Sequence, residues 1–150
     1  MRELLTFALG AERYGIDILK VREIRCYEGA TAIPGTPAFV KGVIDLRGAI
    51  VPVFDMRAKL RLEAAQPGGA PILIVLDLGS RAAGVIVDAV SDVVAIDANN
   101  VKAVPDLAGE RGSKHIAGLA NLEGGMLILL DIDGFTAGTE LEPAQEAEAA

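Results

Sequence analysis

The sequence predicts an all-β fold built from two copies of one small unit. Valine and isoleucine are concentrated in short apolar runs, glycine or proline ends most of these runs, and the second half repeats the order of the first. The chain has 150 residues, of which 51% are hydrophobic and 4% aromatic. A chain of this length buries enough surface to fold without disulfides or a metal.

The first half of the chain contains four predicted strands and a short predicted helix. Arg47 and Gly48 lie between two apolar runs and predict a tight hairpin turn, because an X-Gly pair suits such a turn. Asp55 is the predicted N-cap of the helix. The strand and helix segments, in chain order, are "LLTFAL", "RYGIDILKVREI", "VKGVIDL", "AIVPV" and "FDMRAKLRL".

The second half begins after a segment rich in glycine and proline at 63–71, which we interpret as the boundary between the halves. A long polar loop is predicted from 97 to 115. The end of the chain, 139–150, is acidic and rich in alanine without an apolar face, so we expect it to be disordered. The predicted strands of this half are "ILIVLDLG", "AAGVIVDAVSDVVAI" and "IAGLANLEGGMLILLDI".

Two pairs of segments align without breaking the order of their glycines and acids, which indicates an internal duplication. Chance similarity between strands rich in valine and glycine is the alternative, and the ordered agreement argues against it. At the hairpin turn the first copy has Arg47 and the second has Glu123, so the turn does not require the charge of Arg47. The alignment pairs Gly42 with Gly118, Leu46 with Leu122, Gly48 with Gly124, Asp55 with Asp131, Gly10 with Gly79, Gly15 with Gly84, Val21 with Val90 and Glu23 with Asp92.

Composition excludes several classes of function. The net charge of −7 and the pI of about 4.7 argue against nucleic-acid binding, which requires clustered lysine and arginine. The N-terminus, "MRELLTFALG", lacks the pattern of a signal peptide, and the apolar runs are too short to insert into a membrane. The single cysteine, Cys26, excludes an internal disulfide and fits a reducing compartment. We therefore expect a soluble, cytoplasmic protein.

Residues that could support catalysis are few. His115 is the only histidine and Ser113 lies near it, but the chain has no Gly-x-Ser-x-Gly motif, and a solvated loop histidine is the simpler interpretation. Cys26 is either a reactive thiol beside arginines or, more simply, a half-buried structural cysteine. Asp131 and Asp133 either share a metal or a proton, or cap a short terminal helix, which we favour. One cysteine and one histidine do not favour a zinc site.

The remaining candidates point to a partner-binding surface. Arginine is favoured in interfaces because its planar guanidinium pairs with two acceptors while its stem covers apolar area. The alternative for each residue taken singly is an ordinary solvated position. The candidates are Val21, Glu23 and Ile24 on one predicted strand and Gly42, Ile44 and Arg47 on the next hairpin.

Four segments together resemble the chemotaxis coupling proteins of the CheW family, from about Leu5 to Phe135. The resemblance implies two five-stranded β-barrels of the SH3 type that share a hydrophobic core within one domain at 1–138. The exchange of strands between the halves is left open. It also implies a protein without catalytic activity, metal or cofactor. The segments are "LTFALGAERYGIDILKVREI", "IPGTPAFVKGVIDLRGAIVPVFDMR", "GVIVDAVSDVVAI" and "IAGLANLEGGMLILLDI".

The resemblance further implies an adaptor that bridges the cytoplasmic tip of methyl-accepting chemoreceptors and the regulatory domain of the histidine kinase CheA, at receptor arrays beneath the inner membrane. Family residues tied to these partners correspond to Val21, Glu23, Gly42 and Arg47. We add Ile24 and Ile44 as apolar neighbours of these four.

The chain departs from the family pattern at one place beside these residues. The family usually has asparagine before "LRG", where this chain has Asp45. An acid there either holds Arg47 by a local pair or changes the preference for a partner. The pathway output and the receptors served stay open.

Overall fold

A computed structural model describes residues 2–59, 70–79, 81–103, 116–122 and 125–132. Short helices accompany the strands: the four-residue α1 spans Met56–Lys59, and two 3-10 helices span Ile18–Lys20 and Ala98–Asn100. The strands are β1 Arg2–Leu9, β2 Glu12–Asp17, β3 Val21–Cys26, β4 Val40–Leu46, β5 Ala49–Asp55, β6 Ile72–Asp77, β7 Ala82–Val87, β8 Ala89–Ile96, β9 Val101–Lys102, β10 Ile116–Leu122 and β11 Gly125–Leu130.

The strands form two sheets, which confirms the all-β prediction. The six-stranded sheet has the order β8-β1-β2-β11-β10-β9, and the five-stranded sheet has the order β3-β6-β7-β5-β4. Within the described ranges neither sheet closes by strand pairing alone. In the six-stranded sheet, β8 leads through the 3-10 helix Ala98–Asn100 directly into β9, its opposite edge. The chain thus connects the two edges of that sheet.

The five-stranded sheet curls in a similar way. After β3, the Tyr27 N–H donates to the Pro71 carbonyl at 3.1 Å, which prolongs the contact with the β6 side. A few residues later, Thr31 forms an isolated antiparallel bridge with Val43 of β4. The segment 27–31 therefore runs from one edge of the sheet to the other.

Both sheets combine strands from before and after 63–71. The six-stranded sheet takes β1 and β2 from the first half, and the five-stranded sheet takes β6 and β7 from the second. Parallel pairs, β2 with β11 and β5 with β7, join the halves within each sheet. Most of the proposed boundary at 63–71, like the tail at 139–150, lies outside the described residues, so the division into domains stays a prediction.

Three groups of buried side chains form the core. The largest lies between the sheets and contains Phe7 and Ile16 of one sheet and Phe54 and Ile74 of the other. A smaller group lies within the curl of each sheet. Strand β6 alternates between the shared group and the inner group of its own sheet, so both of its faces are buried. This explains its continuous apolar run, because neither face meets water.

The strand pairing supports the internal duplication. Gly84 pairs with Val53, and at the aligned positions Gly15 pairs with Leu129. The β4–β5 hairpin shifts register between Val40 and Gly42, and the β10–β11 hairpin shifts register between the aligned residues Ile116 and Gly118. Bulges at equivalent places are specific features, so chance similarity does not account for them.

Two predicted elements differ from the structure. The segment 13–24 is not one strand, because Asp17 accepts a hydrogen bond from the Leu19 N–H at 3.0 Å and caps a 3-10 turn where the chain changes sheets. The predicted polar loop at 97–115 contains the second 3-10 helix and β9. The helix prediction is confirmed, since the Asp55 Oδ1 accepts from the Arg57 N–H at 3.0 Å at the start of α1.

Candidate partner-binding surface

An ion pair links the two edges of the five-stranded sheet. The Arg47 Nη2 donates to the Glu23 Oε2 at 2.9 Å, and the Arg25 Nη1 lies 3.6 Å from the other carboxylate oxygen. The Arg47 side chain is 72% exposed and that of Glu23 is 25% exposed. The hydrogen bond from Arg47 is the largest cause that lowers the pKa of Glu23. Glu23 is thus held as a carboxylate beneath an accessible guanidinium.

Arg47 occupies a backbone conformation that disfavours it. Its φ is 53° and that of Gly48 is 89°, as in the two-residue turns that prefer Asn-Gly. A non-glycine residue in this region costs about 1–2 kcal/mol. The Asp45 Oδ1 accepts from the Gly48 N–H at 2.8 Å, so Asp45 stabilises the turn while Arg47 pairs with Glu23. Strain at an exposed arginine is typical of a residue kept for its side chain.

Gly42 lies beneath the segment that connects the two edges. A Cβ there would stand 2.0 Å from the Thr31 carbonyl oxygen, and the φ of Gly42 is +141°. At the aligned Gly118, a Cβ would meet the Val101 Cγ1 at 2.6 Å. Each glycine thus allows another segment of the same chain to pass close over its hairpin. The structure therefore gives Gly42 a packing role, and its role toward a partner stays a prediction.

The other three predicted residues differ in accessibility. Val21 is partly buried against the shared core, and Ile44 is partly buried against the inner core of the five-stranded sheet. Ile24 follows Glu23 on β3 and is 45% exposed. Of the six predicted residues, the structure thus brings Glu23 and Arg47 into direct contact and leaves Ile24 as the accessible apolar neighbour.

The sequence prediction missed three exposed apolar residues that belong with Ile24. Ile50 is 67% exposed, Val93 is 47% exposed and Met126 is 49% exposed. The duplication aligns Ile24 with Val93 and Ile50 with Met126. Each sheet therefore presents one exposed apolar side chain on its edge strand and one on its hairpin. The alignment could have found Val93 as the counterpart of Ile24, whereas the continuous apolar runs of β5 and β11 contain no signal that marks Ile50 and Met126.

Within the residues that it describes, the structure does not support the catalytic alternatives. His115, Ser113 and Asp133 lie outside the described residues. Cys26 is exposed at the end of β3, so the half-buried position expected for it was wrong. Within the part of the chain that is described, no three His, Cys, Asp or Glu side chains are grouped so that they could hold a metal ion. Nor does any helix there have the length and apolarity to span a bilayer.

The chain is a two-sheet β protein with an accessible arginine on a strained turn, paired with a carboxylate. The family model for the CheW-like domain matches residues 3–140, and the chain belongs to this family. It is 43% identical to the chemotaxis protein CheW of Klebsiella aerogenes over 140 residues, which cover 93% of this chain and 84% of that protein.

Two further relatives agree with this assignment. The chain is 38% identical to the chemotaxis protein CheW of Rhizobium meliloti, with 99% of this chain and 92% of that protein covered. The crystal structure of the scaffolding protein TtCheW from Thermoanaerobacter tengcongensis superimposes with a TM-score of 0.81 at 30% identity, covering 91% of this chain and 94% of that one. The role of the chain is accordingly that of a non-enzymatic chemotaxis scaffold or adaptor.

Proposed function

We propose that this chain couples chemoreceptors to the histidine kinase CheA through separate surfaces on its two sheets. The observation that carries the proposal is the pair of repeat-related apolar positions: Ile24 and Ile50 on the five-stranded sheet, Val93 and Met126 on the six-stranded sheet. Apolar side chains that form a patch rimmed by polar residues mark interaction sites, and arginine is enriched in such interfaces. Two such surfaces allow one chain to hold two partners.

The two surfaces differ in chemistry, which favours different partners. Arg47, Glu23 and Arg25 accompany the apolar positions of the five-stranded sheet. On the six-stranded sheet, Val93 lies beside Asp92, whose side chain is 63% exposed and whose Oδ1 lies 3.7 Å from the Arg13 Nη2. Complementary charge selects a partner and rejects others, so a surface with two arginines around one carboxylate and a surface with one arginine beside one carboxylate discriminate differently.

Coupling of this kind needs no chemical step. Each surface supplies moderate affinity, and the repeated arrangement of receptors and kinases in an array raises the effective concentration of every contact. A change in the receptor then reaches the kinase through the packed core that the sheets share. The chain would act at receptor arrays beneath the inner membrane, bound to the cytoplasmic receptor tip and to the regulatory domain of CheA.

The test is a titration of the chain with the CheA regulatory domain and with a receptor-tip fragment. Arg47→Ala should weaken one of these contacts ~10–100-fold, the effect of removing an interface anchor. Arg22→Ala is the matched control: it removes an arginine from the same sheet whose Nη2 lies 3.7 Å from Asp77 in an exposed pair. The control should bind as the parent does.

Circular dichroism would verify that both variants fold. Unchanged binding by Arg47→Ala would leave Arg47 as a solvated turn residue. If the parent chain bound neither partner, the proposal would be wrong.

A further inference from the structure

The chain passes between the two sheets at two places in the described residues. The first lies between β2 and β3 and is formed by the 3-10 helix Ile18–Lys20. The second lies between β7 and β8 and consists of Asp88 alone. The duplication aligns Asp88 with Leu19, which is 85% exposed. The two crossings are therefore related by the repeat but carry different side chains.

Asp88 connects three parts of the molecule. Its N–H donates to the Ala8 carbonyl at 3.1 Å. Its carboxylate accepts from the Gly10 N–H at 2.7 Å, in the β1–β2 turn of the six-stranded sheet. The same carboxylate accepts from the Arg57 Nε at 2.9 Å and from the Arg57 Nη2, at the start of α1, which follows β5 of the five-stranded sheet. One side chain thus contacts the β1–β2 turn of the six-stranded sheet and helix α1, which continues from β5 of the five-stranded sheet, at the point where the chain crosses.

The geometry of this contact is directional, whereas the core is not. Apolar burial holds the sheets together but does not depend strongly on their orientation. A guanidinium that donates two parallel hydrogen bonds to one carboxylate fixes the distance and the plane of both groups. The Arg57 and Asp88 side chains are only 15% and 30% exposed, so solvent screens the pair less than it screens a surface pair.

We infer that Arg57 and Asp88 are positioning residues that set the orientation of one sheet relative to the other. The inference deepens the proposed function and rests on it in one respect, since the orientation matters for signalling only if both sheets bind partners. In that case the pair fixes the spacing between the apolar positions of the two sheets. Loosening it would leave each surface intact while it disturbs their joint engagement.

The test measures a distance between the two sheets, which changes with their relative orientation. It needs no partner. Spin labels would be attached at Lys41→Cys on β4 and Lys102→Cys on β9, both exposed, in a Cys26→Ser background. Double electron–electron resonance then gives the distribution of distances between the sheets. The parent should show one narrow distribution. Asp88→Asn and Arg57→Gln should both broaden it, or shift its maximum beyond the width measured for the parent.

Asp77→Asn is the matched control. Asp77 also accepts a hydrogen bond from a turn glycine, the Gly79 N–H at 2.9 Å, and also faces an arginine, Arg22, but both partners lie in or beside the five-stranded sheet. It should leave the distribution unchanged. If Asp88→Asn does not fold, Arg57→Lys replaces it, because lysine keeps the charge but loses the paired donors.

An unchanged distribution in the folded Asp88 or Arg57 variants would overturn the inference. In binding experiments, these variants should keep the parent affinity for each partner alone and lose at least ~10-fold in binding of the second partner to the first complex, a coupling within the usual range. A failure of the proposed function would remove the partner binding of the parent, whereas a failure of this inference would leave the distances unmoved. The two failures are therefore distinguishable.

Discussion

Glu23 and Asp92 occupy the same position in the two repeats, yet they are stabilised differently. The Asp92 Oδ1 accepts from the Thr6 Oγ1 at 2.7 Å, and the buried Thr6 also accepts from the Asp92 N–H, so this acid is satisfied within its own sheet. The duplication places Val75 where the other copy has Thr6. Valine offers no hydroxyl group, and Glu23 pairs instead with Arg47 of the hairpin turn at 2.9 Å.

This difference shows which features are the same in the two repeats and which differ. Three features recur in both copies because strand pairing and core packing require them. They are the bulges, the parallel strand pairs and the glycines beneath a crossing segment, Gly42 and Gly118. The charges at the surface did not need to recur. At the position aligned with Arg47, the sequence of the second copy has Glu123. One fold unit thus yields two surfaces with separate chemistry.

The largest expected effect is on the free energy of unfolding, and it distinguishes Gly42 from the aligned Gly118. Gly42→Ala should destabilise the chain by about 3 kcal/mol or more, because it combines a disfavoured φ with a clash against the backbone of Thr31. Gly118→Ala should cost less, about 1–2 kcal/mol, because its φ is ordinary, so only the Val101 Cγ1 at 2.6 Å and the Lys102 carbonyl oxygen at 3.0 Å must shift. Urea denaturation of both variants measures the difference.

Gly35→Ala is the control for this comparison. Its φ is +82° and nothing lies within 4 Å of the added carbon, so it reports backbone strain alone, about 1 kcal/mol. Equal costs at Gly42 and Gly118 would show that the close approach of Thr31 does not distinguish the repeats.

The next effect separates the apolar positions of the two sheets. Ile50→Ser and Met126→Ser should each weaken one docking contact by ~1–3 kcal/mol, as loss of an interface anchor does, and leave the other contact unchanged. Both side chains are exposed, so stability should hardly change. Calorimetric titration of each variant with both partners checks this. Equal weakening of both contacts by one substitution would mean that the sheets do not bind independently.

The third effect concerns pH and compares a half-buried carboxylate with an exposed one. The hydrogen bond from Arg57 lowers the pKa of Asp88 below its ordinary 3.8. A carboxyl group whose pKa is lowered by folding stabilises the folded state at pH values above its ordinary pKa. This contribution is lost as the pH falls through the pKa of the folded state. The parent should therefore lose stability progressively below about pH 5. Asp88→Asn should be about 2 kcal/mol less stable at pH 7 and should depend less on pH.

Asp77→Asn serves as the control here also, because its pair with Arg22 is exposed on both sides. Its unfolding free energy at pH 7 should lie within about 0.5 kcal/mol of that of the parent. A variant at Asp88 that kept the full pH dependence of the parent would show that the acid sensitivity arises elsewhere.

The smallest expected effect tests whether Arg47 lowers the stability of the turn in which it lies. Arg47→Asn should stabilise the chain by about 0.5–1 kcal/mol, because asparagine tolerates the positive φ that the turn requires. The same variant should bind more weakly, because it removes the guanidinium that holds Glu23. Thermal unfolding and titration measure the two changes. A loss of stability together with unchanged binding would assign Arg47 a purely structural role.

Much of the fold could be predicted from the sequence because its signals are local or repeated. The Arg47-Gly48 turn, the Asp55 cap and the duplicated glycines each follow from residue type and order. The change of sheet at Asp88 could not be predicted in this way, since it lies inside a run that has the composition of a strand.

The candidate surface was predictable only in part. Residue type and the family resemblance indicated Glu23 and Arg47, but their contact joins residues far apart in sequence across two sheet edges, and no periodic pattern contains it. Ile50 and Met126 were hidden because exposed and buried aliphatic residues look alike in an apolar run. The pairing of strands decided which face of β5 and β11 meets water.

The most direct test of the two-surface account is the stoichiometry of a mixture of the chain, the CheA regulatory domain and a receptor-tip fragment. Light scattering coupled to size-exclusion chromatography would give the mass of the complex. The account predicts one complex that contains all three components, which Ile50→Ser and Met126→Ser each reduce to a two-component complex. Mutual exclusion of the two partners by the parent chain would contradict it.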